Sequence, residues 1–170
     1  MAPLVRRTWA PCGKTPVMLQ RTRSTEKVSA IAALTVSPRR KRVGLYVSLL
    51  ANRNVRTPQM LRYLKHLARH VRGPIVVIWD RLNVHRAGKI QTWATKIKRV
   101  KLVLLPPYAP ELNPVERWWS LLKHHRLANF APADVRALAR AARRHTRRVS
   151  GSQRLLRSFI RGTALSSCLD

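Results

Sequence analysis

The stretch LLPPYAPELNPVERWW (residues 104–119) places two carboxylates, Glu111 and Glu116, among prolines and tryptophans. Acids are scarce elsewhere. The 170-residue chain has 35 Lys and Arg against 6 Asp and Glu, a formal charge of +29. A chain that spends two of its six acids here needs a reason for them. The apolar run LL is stopped by Pro106 and Pro107, so a strand ends at the start of the stretch. Asn113-Pro114 then opens a helix that runs through about His125, with proline at its first position. The stretch therefore reads as strand, proline loop, helix.

The pattern repeats on either side. IVVIW (75–79) and KLVLL (101–105) are short continuous apolar runs, as in buried parallel strands. Between them Ile90, Trp93, Ala94 and Ile97 recur at helical spacing. Further upstream, VSAIAALTV (28–36) and VGLYVSLL (43–50) flank the charged turn SPRRKR and predict a hairpin. Thr57 as cap and Pro58 start a helix carrying Met60, Leu61, Leu64, Leu67, Ala68 and Val71, and Gly73-Pro74 stops it. PADVRALARAARRHTRRV (132–149) is a further amphipathic helix, and LLRSFI (155–160) a short docking segment. Residues 6–16 read as extended chain and turn. Strands that alternate with helices predict an α/β fold with parallel pairing, in one domain over 1–170.

Such an excess of positive charge points to polyanions, nucleic acid first, with a ribosomal-type RNA binder or a membrane-surface protein as the alternatives. With 45% hydrophobic residues the chain can bury a core, which excludes a disordered polycation. No apolar run approaches the roughly 20 residues of a membrane helix, and no signal peptide is evident. Cys12 and Cys168 lack metal-ligand spacing and read as free thiols of an intracellular, cytoplasmic protein, with a single disulfide as the alternative.

Two acids have special positions. Asp80 directly follows IVVIW, and chemistry collects at the carboxyl ends of such strands. Glu116 falls in the first turn of the helix that follows the next strand. Neighbouring parallel strands would bring both to one edge, where two carboxylates suit a hard cation such as Mg²⁺. Each has a plainer reading. Asn113-x-x-Glu116 is also a capping-box pattern, and Asp80 alone also fits a strand-end turn. His85 reads as a satisfied polar residue or a contact at the same edge. Trp118 and Trp119 read as core rather than as base-stacking platforms. Arg136, Arg140, Arg143, Arg144 and Arg147 form a stripe opposite Val135, Leu138, Ala139 and Ala142. In this chain the stripe is expected to contact phosphates, the alternative being a solvated face.

VVIWD, then His85, then LLPPYAPELNPVERWWSLLK resembles the DDE transposases of the mariner superfamily, the bacterial insertion-sequence branch in particular. Asp80 and Glu116 match that family's second and third catalytic acids, and the 35 residues between them are close to its spacing. RRTWAPCGKTPV (6–17) and LLRSFIRGTAL (155–165) extend the resemblance over essentially the whole chain. It implies an RNase H-like mixed sheet flanked by helices, and Mg²⁺ (or Mn²⁺) held by Asp80 and Glu116 for cutting and rejoining DNA. It implies Arg81 and His85 as contacts near the metal and nucleic acid, transposon ends and target DNA as partners, and a homodimer on paired ends.

The sequence departs from the family in three ways. No Asp or Glu precedes Arg7, where the first catalytic acid is expected, and Glu26 lies at the start of the hairpin instead. No helix-turn-helix region is present. Arg81 stands where the family carries a small polar residue. The chain thus reads as the C-terminal catalytic portion of a transposase, lacking the first strand and its Asp. VSAIAALTV would then lack a neighbour, and a separately encoded N-terminal segment is an expected partner. The alternative is a non-catalytic basic nucleic-acid-binding remnant.

Overall fold

The computed structural model describes residues 5–7, 9–17, 26–37, 39–161, 163 and 165–166. Cys168 and Asp170 lie outside them. Its elements, in chain order, are β1 (Val28–Ser37), β2 (Arg42–Ala51), α1 (Thr57–His70), β3 (Ile75–Trp79), α2 (Gly88–Ile97) and β4 (Val100–Leu104). A 3₁₀ turn (Pro110–Leu112), α3 (Pro114–Ser120), a π-helical turn (Leu121–Arg126), α4 (Val135–Ser150) and α5 (Gln153–Ile160) follow. The elements are those expected from periodicity. The helix from Asn113 changes to π geometry for its last six residues, and the cap of α1 is Arg56, with Thr57 already helical.

β1 and β2 pair antiparallel from Val28↔Ala51 to Ser37↔Arg42. Side chains alternate along a strand, so the hairpin feeds two cores. Ala32, Leu34, Val36, Val43, Leu45 and Val47 face Trp118, Leu122, Val149, Leu156, Phe159 and Ile160 of the C-terminal helices. Ile31, Ala33 and Tyr46 face the other way, onto Met60, Tyr63 and Leu64 of α1, Ile90 of α2 and Trp79 of β3. The hairpin is thus a middle layer with helices on both faces. Gly44 keeps the pair close: a Cβ there would lie 2.6 Å from the hydroxyl of its partner Thr35.

The C-terminal segment is more than a docking strip. Leu156 and Ile160 are 0% and 1% exposed. Gln153 closes the start of β2, accepting from the Val43 N–H (3.0 Å) and donating to the Val43 carbonyl (2.7 Å). The π turn lets Leu122 reach the core that Trp118 fills.

β3 and β4 pair in parallel, Ile75↔Val100 to Trp79↔Leu104. Arg99 anchors this pair to α1. Its guanidinium donates to the carbonyls of Ala68, Val71 and Gly73, satisfying orphan acceptors at the helix end. Tyr63 ties α1 to the hairpin by donating to the Tyr46 carbonyl at 2.9 Å. Burial, and secondarily Tyr46, raises its phenol pKa well above the ordinary value.

The structure departs from the expected sheet in two respects. The four strands form two separate two-stranded sheets, not one mixed sheet, because among the described residues no ladder joins β1 to β3. β3 is also not buried on both faces: Val77 and Trp79 pack inward, while Val76 is 59% and Ile78 38% exposed. Among the described residues no helix is long and apolar enough to cross a membrane.

Candidate active site

Asp80 stands where β3 ends, and its own loop holds it. One carboxylate oxygen, Oδ1, accepts the Leu82 N–H at 3.1 Å, the bond of a strand-end turn. The same oxygen is 2.7 Å from His85 Nδ1. That nitrogen is also 3.1 Å from the Asp80 carbonyl oxygen. Both partners are acceptors, so the proton belongs on Nδ1. The His85 ring is buried and stacks on Trp79, centroids 4.3 Å apart and planes within 6°. The imidazole is thereby clamped between a core tryptophan and the acid. The Asp80 side chain remains 43% exposed, and among the described residues its Oδ2 has no hydrogen-bond partner. The plainer reading of Asp80 as a turn residue is therefore realised, and it leaves one oxygen for a ligand.

Arg81 is exposed and donates from Nε to the Leu105 carbonyl at 2.9 Å. Leu105 N–H donates to the Trp79 carbonyl at 2.8 Å. These bonds knit the loop after β3 to the chain leaving β4. The structure thus brings Asp80, Arg81 and His85 together at the carboxyl end of the parallel pair.

Glu116 is carried by the next element. Asn113 caps α3, its Oδ1 accepting from Val115 N–H at 3.3 Å. A capping box would return the Glu116 carboxylate to the Asn113 N–H. That N–H instead donates to the Pro110 carbonyl at 3.0 Å. Glu116 is exposed, and its carboxylate has no partner among the described residues. Trp118, 0% exposed, explains its direction. Residues two apart on a helix point about 200° apart, so seating Trp118 in the core turns Glu116 outward. Trp119 is half-buried against the same core.

The remaining acids have other work. Asp134 caps α4 by accepting from the Ala137 N–H. Glu26 lies 3.5 Å from Asn52 Nδ2 at the base of the hairpin. Glu111 is exposed in the 3₁₀ turn. Among the described residues no group of three or more His, Cys, Asp or Glu gathers around one point.

On α4, Arg136, Arg140, Arg143, Arg144 and Arg147 are all exposed, while Leu138, Ala139, Ala141, Ala142 and Val149 are buried. His145 lies on this helix. Partial burial, then Arg126, Arg144 and Arg148, lower its pKa from the ordinary 6.5. Arg6 is tied to the stretch before α4, donating to the Asn129 side chain and to the His124 carbonyl. Cys12 is an exposed thiol.

Sequence reasoning passed over Tyr108. Its side chain is fully exposed and its backbone adopts φ +57°. The available signal was the framing by Pro106, Pro107 and Pro110, which denies the ring a helix or strand to fold against.

A family model described as DDE superfamily endonuclease matches residues 2–139. Among solved structures, the crystal structure of the Mos1 strand transfer complex is similar, with a TM-score of 0.59 at 14% identity. The match covers 99% of this chain and 51% of that one, so the chain spans about half the length of that protein. The likeness bears out the expected RNase H-like α/β class, realised here as small sheets flanked by helices. No curated protein matches the sequence.

Proposed function

The chain belongs to the DDE superfamily endonucleases, and from that premise we propose that it is the catalytic portion of a mariner-type transposase of bacterial insertion-sequence kind. Its reaction is divalent-metal-dependent cleavage of DNA and transfer of the cut strand. The observation that carries this reading is the pair Asp80 and Glu116. One is held by its loop with an oxygen to spare, the other is unpartnered, and both sit in a chain of charge +29.

The donor set suits Mg²⁺, with Mn²⁺ as a substitute, because hard ions prefer carboxylate oxygens and use few of them. Asp80 and Glu116 would hold it. When bound, the ion supplies positive charge for water activation and for the oxygens of the scissile phosphate. The chain's own residues do the rest. His85, buried behind Asp80, orients the carboxylate and keeps Oδ1 occupied, so Oδ2 is the oxygen it offers. We assign His85 this positioning role in place of a direct contact with nucleic acid. Arg81, exposed beside the acid, takes a phosphate. The α4 arginines bind the DNA backbone of transposon ends and target without reading sequence.

Two carboxylates are fewer than this chemistry uses. Glu26 lies at the base of the hairpin beside Asn52, and the proposed source of the third carboxylate is a separately encoded N-terminal segment. A homodimer would hold paired DNA ends. The second reading is a basic nucleic-acid-binding remnant without catalysis; among the described residues no group of three or more His, Cys, Asp or Glu gathers around one point.

Nicking of supercoiled plasmid in Mg²⁺ or Mn²⁺ separates the two. The expected result is DNA binding by the chain, nicking once a segment bearing the third carboxylate is supplied, and loss of nicking in Asp80→Asn and Glu116→Gln. Binding with no nicking under any of these conditions would establish the remnant reading.

A further inference from the structure

Tyr108 neither holds a carboxylate nor packs into either core. Its ring is 101% exposed, and a large side chain left wholly in water gains nothing from folding. Its backbone lies at φ +57°, a left-handed conformation that bulky L residues rarely occupy. An outlier of this kind at a site edge asks for a function. The prolines at 106, 107 and 110 fix the backbone on both sides, so the ring is displayed on a stiff support.

Its position is informative. Leu105, three residues earlier, is bonded to both Trp79 and Arg81. Three residues of extended chain span at most about 11 Å, so Tyr108 stands close to the loop that carries Asp80. The 3₁₀ turn and α3 follow directly, leading to Glu116. Tyr108 therefore sits on the connection between the two carboxylates, next to the exposed Arg81.

We propose that Tyr108 is a stacking platform for an unpaired nucleobase of DNA at this edge. The proposal rests on the DNA reading above. Every base offers a π face, so an exposed ring binds any of them without reading sequence. This complements a basic surface that grips phosphates. A phosphate at Arg81 and its base on Tyr108 would fix one nucleotide of a strand beside Asp80. The phenol is not needed for this; the ring is.

The test uses the full chain and a duplex bearing one unpaired 2-aminopurine, with a fully paired duplex as control. The unaltered chain should prefer the unpaired-base DNA and quench its fluorescence. Tyr108→Ala should lose about 5- to 100-fold in affinity for that DNA, as expected for one base–aromatic stack. It should not lose on the paired duplex, and its salt dependence should be unchanged, since stacking releases no counterions. Tyr108→Phe should keep both affinity and quenching. Equal binding by Tyr108→Ala, or a loss in Tyr108→Phe as large as in Tyr108→Ala, would overturn the proposal. So would a change of oligomeric state in Tyr108→Ala, which would place the ring against a second copy. If the unaltered chain binds neither duplex, the DNA reading itself fails and takes this proposal with it. If it binds both with steep salt dependence and Tyr108→Ala changes nothing, the stacking proposal alone fails.

Discussion

The hairpin and the β3–β4 pair are both built from mainly apolar strands, yet they are used differently. The hairpin is covered on both faces, by α1 and α2 residues on one and by α3, α4 and α5 residues on the other. Among the described residues the parallel pair is covered on one face, with Val76 and Ile78 facing outward. The well-covered element carries no candidate for chemistry. The half-covered one ends in Asp80, Arg81 and the chain to Tyr108. Stability resides in the hairpin and its helices, and the parallel pair serves to present a strand end. If so, mutations in the two regions should have opposite profiles.

The largest stability effect belongs to the hairpin's helical cover. Trp118→Ala empties a site of 0% exposure and should cost about 3–5 kcal/mol, measured by urea denaturation of the chain. Such a loss is a large part of a typical domain's stability. Asp80→Asn should instead leave the urea midpoint nearly unchanged while removing metal-dependent nicking in the supplemented assay above. If Asp80→Asn unfolds the chain as readily as Trp118→Ala does, the contrast between the two regions is wrong.

This contrast was partly legible in the sequence. The apolar runs and Asn113-Pro114 located the elements, and the placement of Asp80 after IVVIW located one end of the candidate site. Hidden was which faces would be covered, because IVVIW is apolar at every position and carries no alternation to reveal an exposed side. For the same reason the division into two sheets was not readable: strand runs do not state their partners. The His85 clamp on Asp80 was half visible. The sequence reading allowed His85 at the same edge, but the stacking on Trp79 depends on a tertiary arrangement. Tyr108 was obscured by the motif around it, whose acids drew the reading.

The exposed face of β3 sharpens the comparison further. Val76→Thr and Ile78→Thr should change stability by no more than about 0.5 kcal/mol, as surface substitutions do. The equivalent change at Val43, 2% exposed on the hairpin, buries a hydroxyl without a partner and should cost about 1–3 kcal/mol. A large loss at Val76 in the isolated chain would mean that this face is covered in solution.

The arginine stripe tests the other side of the molecule. Arg136, Arg140 and Arg144 to Ala should reduce the slope of log affinity against log salt by about 0.9 per lost phosphate contact, measured on paired duplex DNA. Folding should be little affected, because all three are exposed. An unchanged slope would return the stripe to a solvated face.

The smallest effect comes from His145, which shares the stripe's helix. Its pKa is lowered by partial burial and by Arg126, Arg144 and Arg148, so the folded chain resists protonating it. The unfolded chain protonates near 6.5. Between that value and the lower folded one, the unfolded state holds more protons, and stability falls as pH falls. The contribution is intact above 6.5 and lost on acidification, and His145→Gln should flatten that part of the melting curve. DNA reverses the sign. Phosphates drawn to Arg144 and Arg148 offset the charges that lower the His145 pKa, so binding raises it and takes up a proton. Affinity should therefore rise slightly as pH falls toward 6, and His145→Gln should remove that rise. NMR titration of the His145 ring, free and DNA-bound, reads the shift directly. A titration unmoved by DNA would place the phosphates away from this end of α4, even if the rest of the stripe binds.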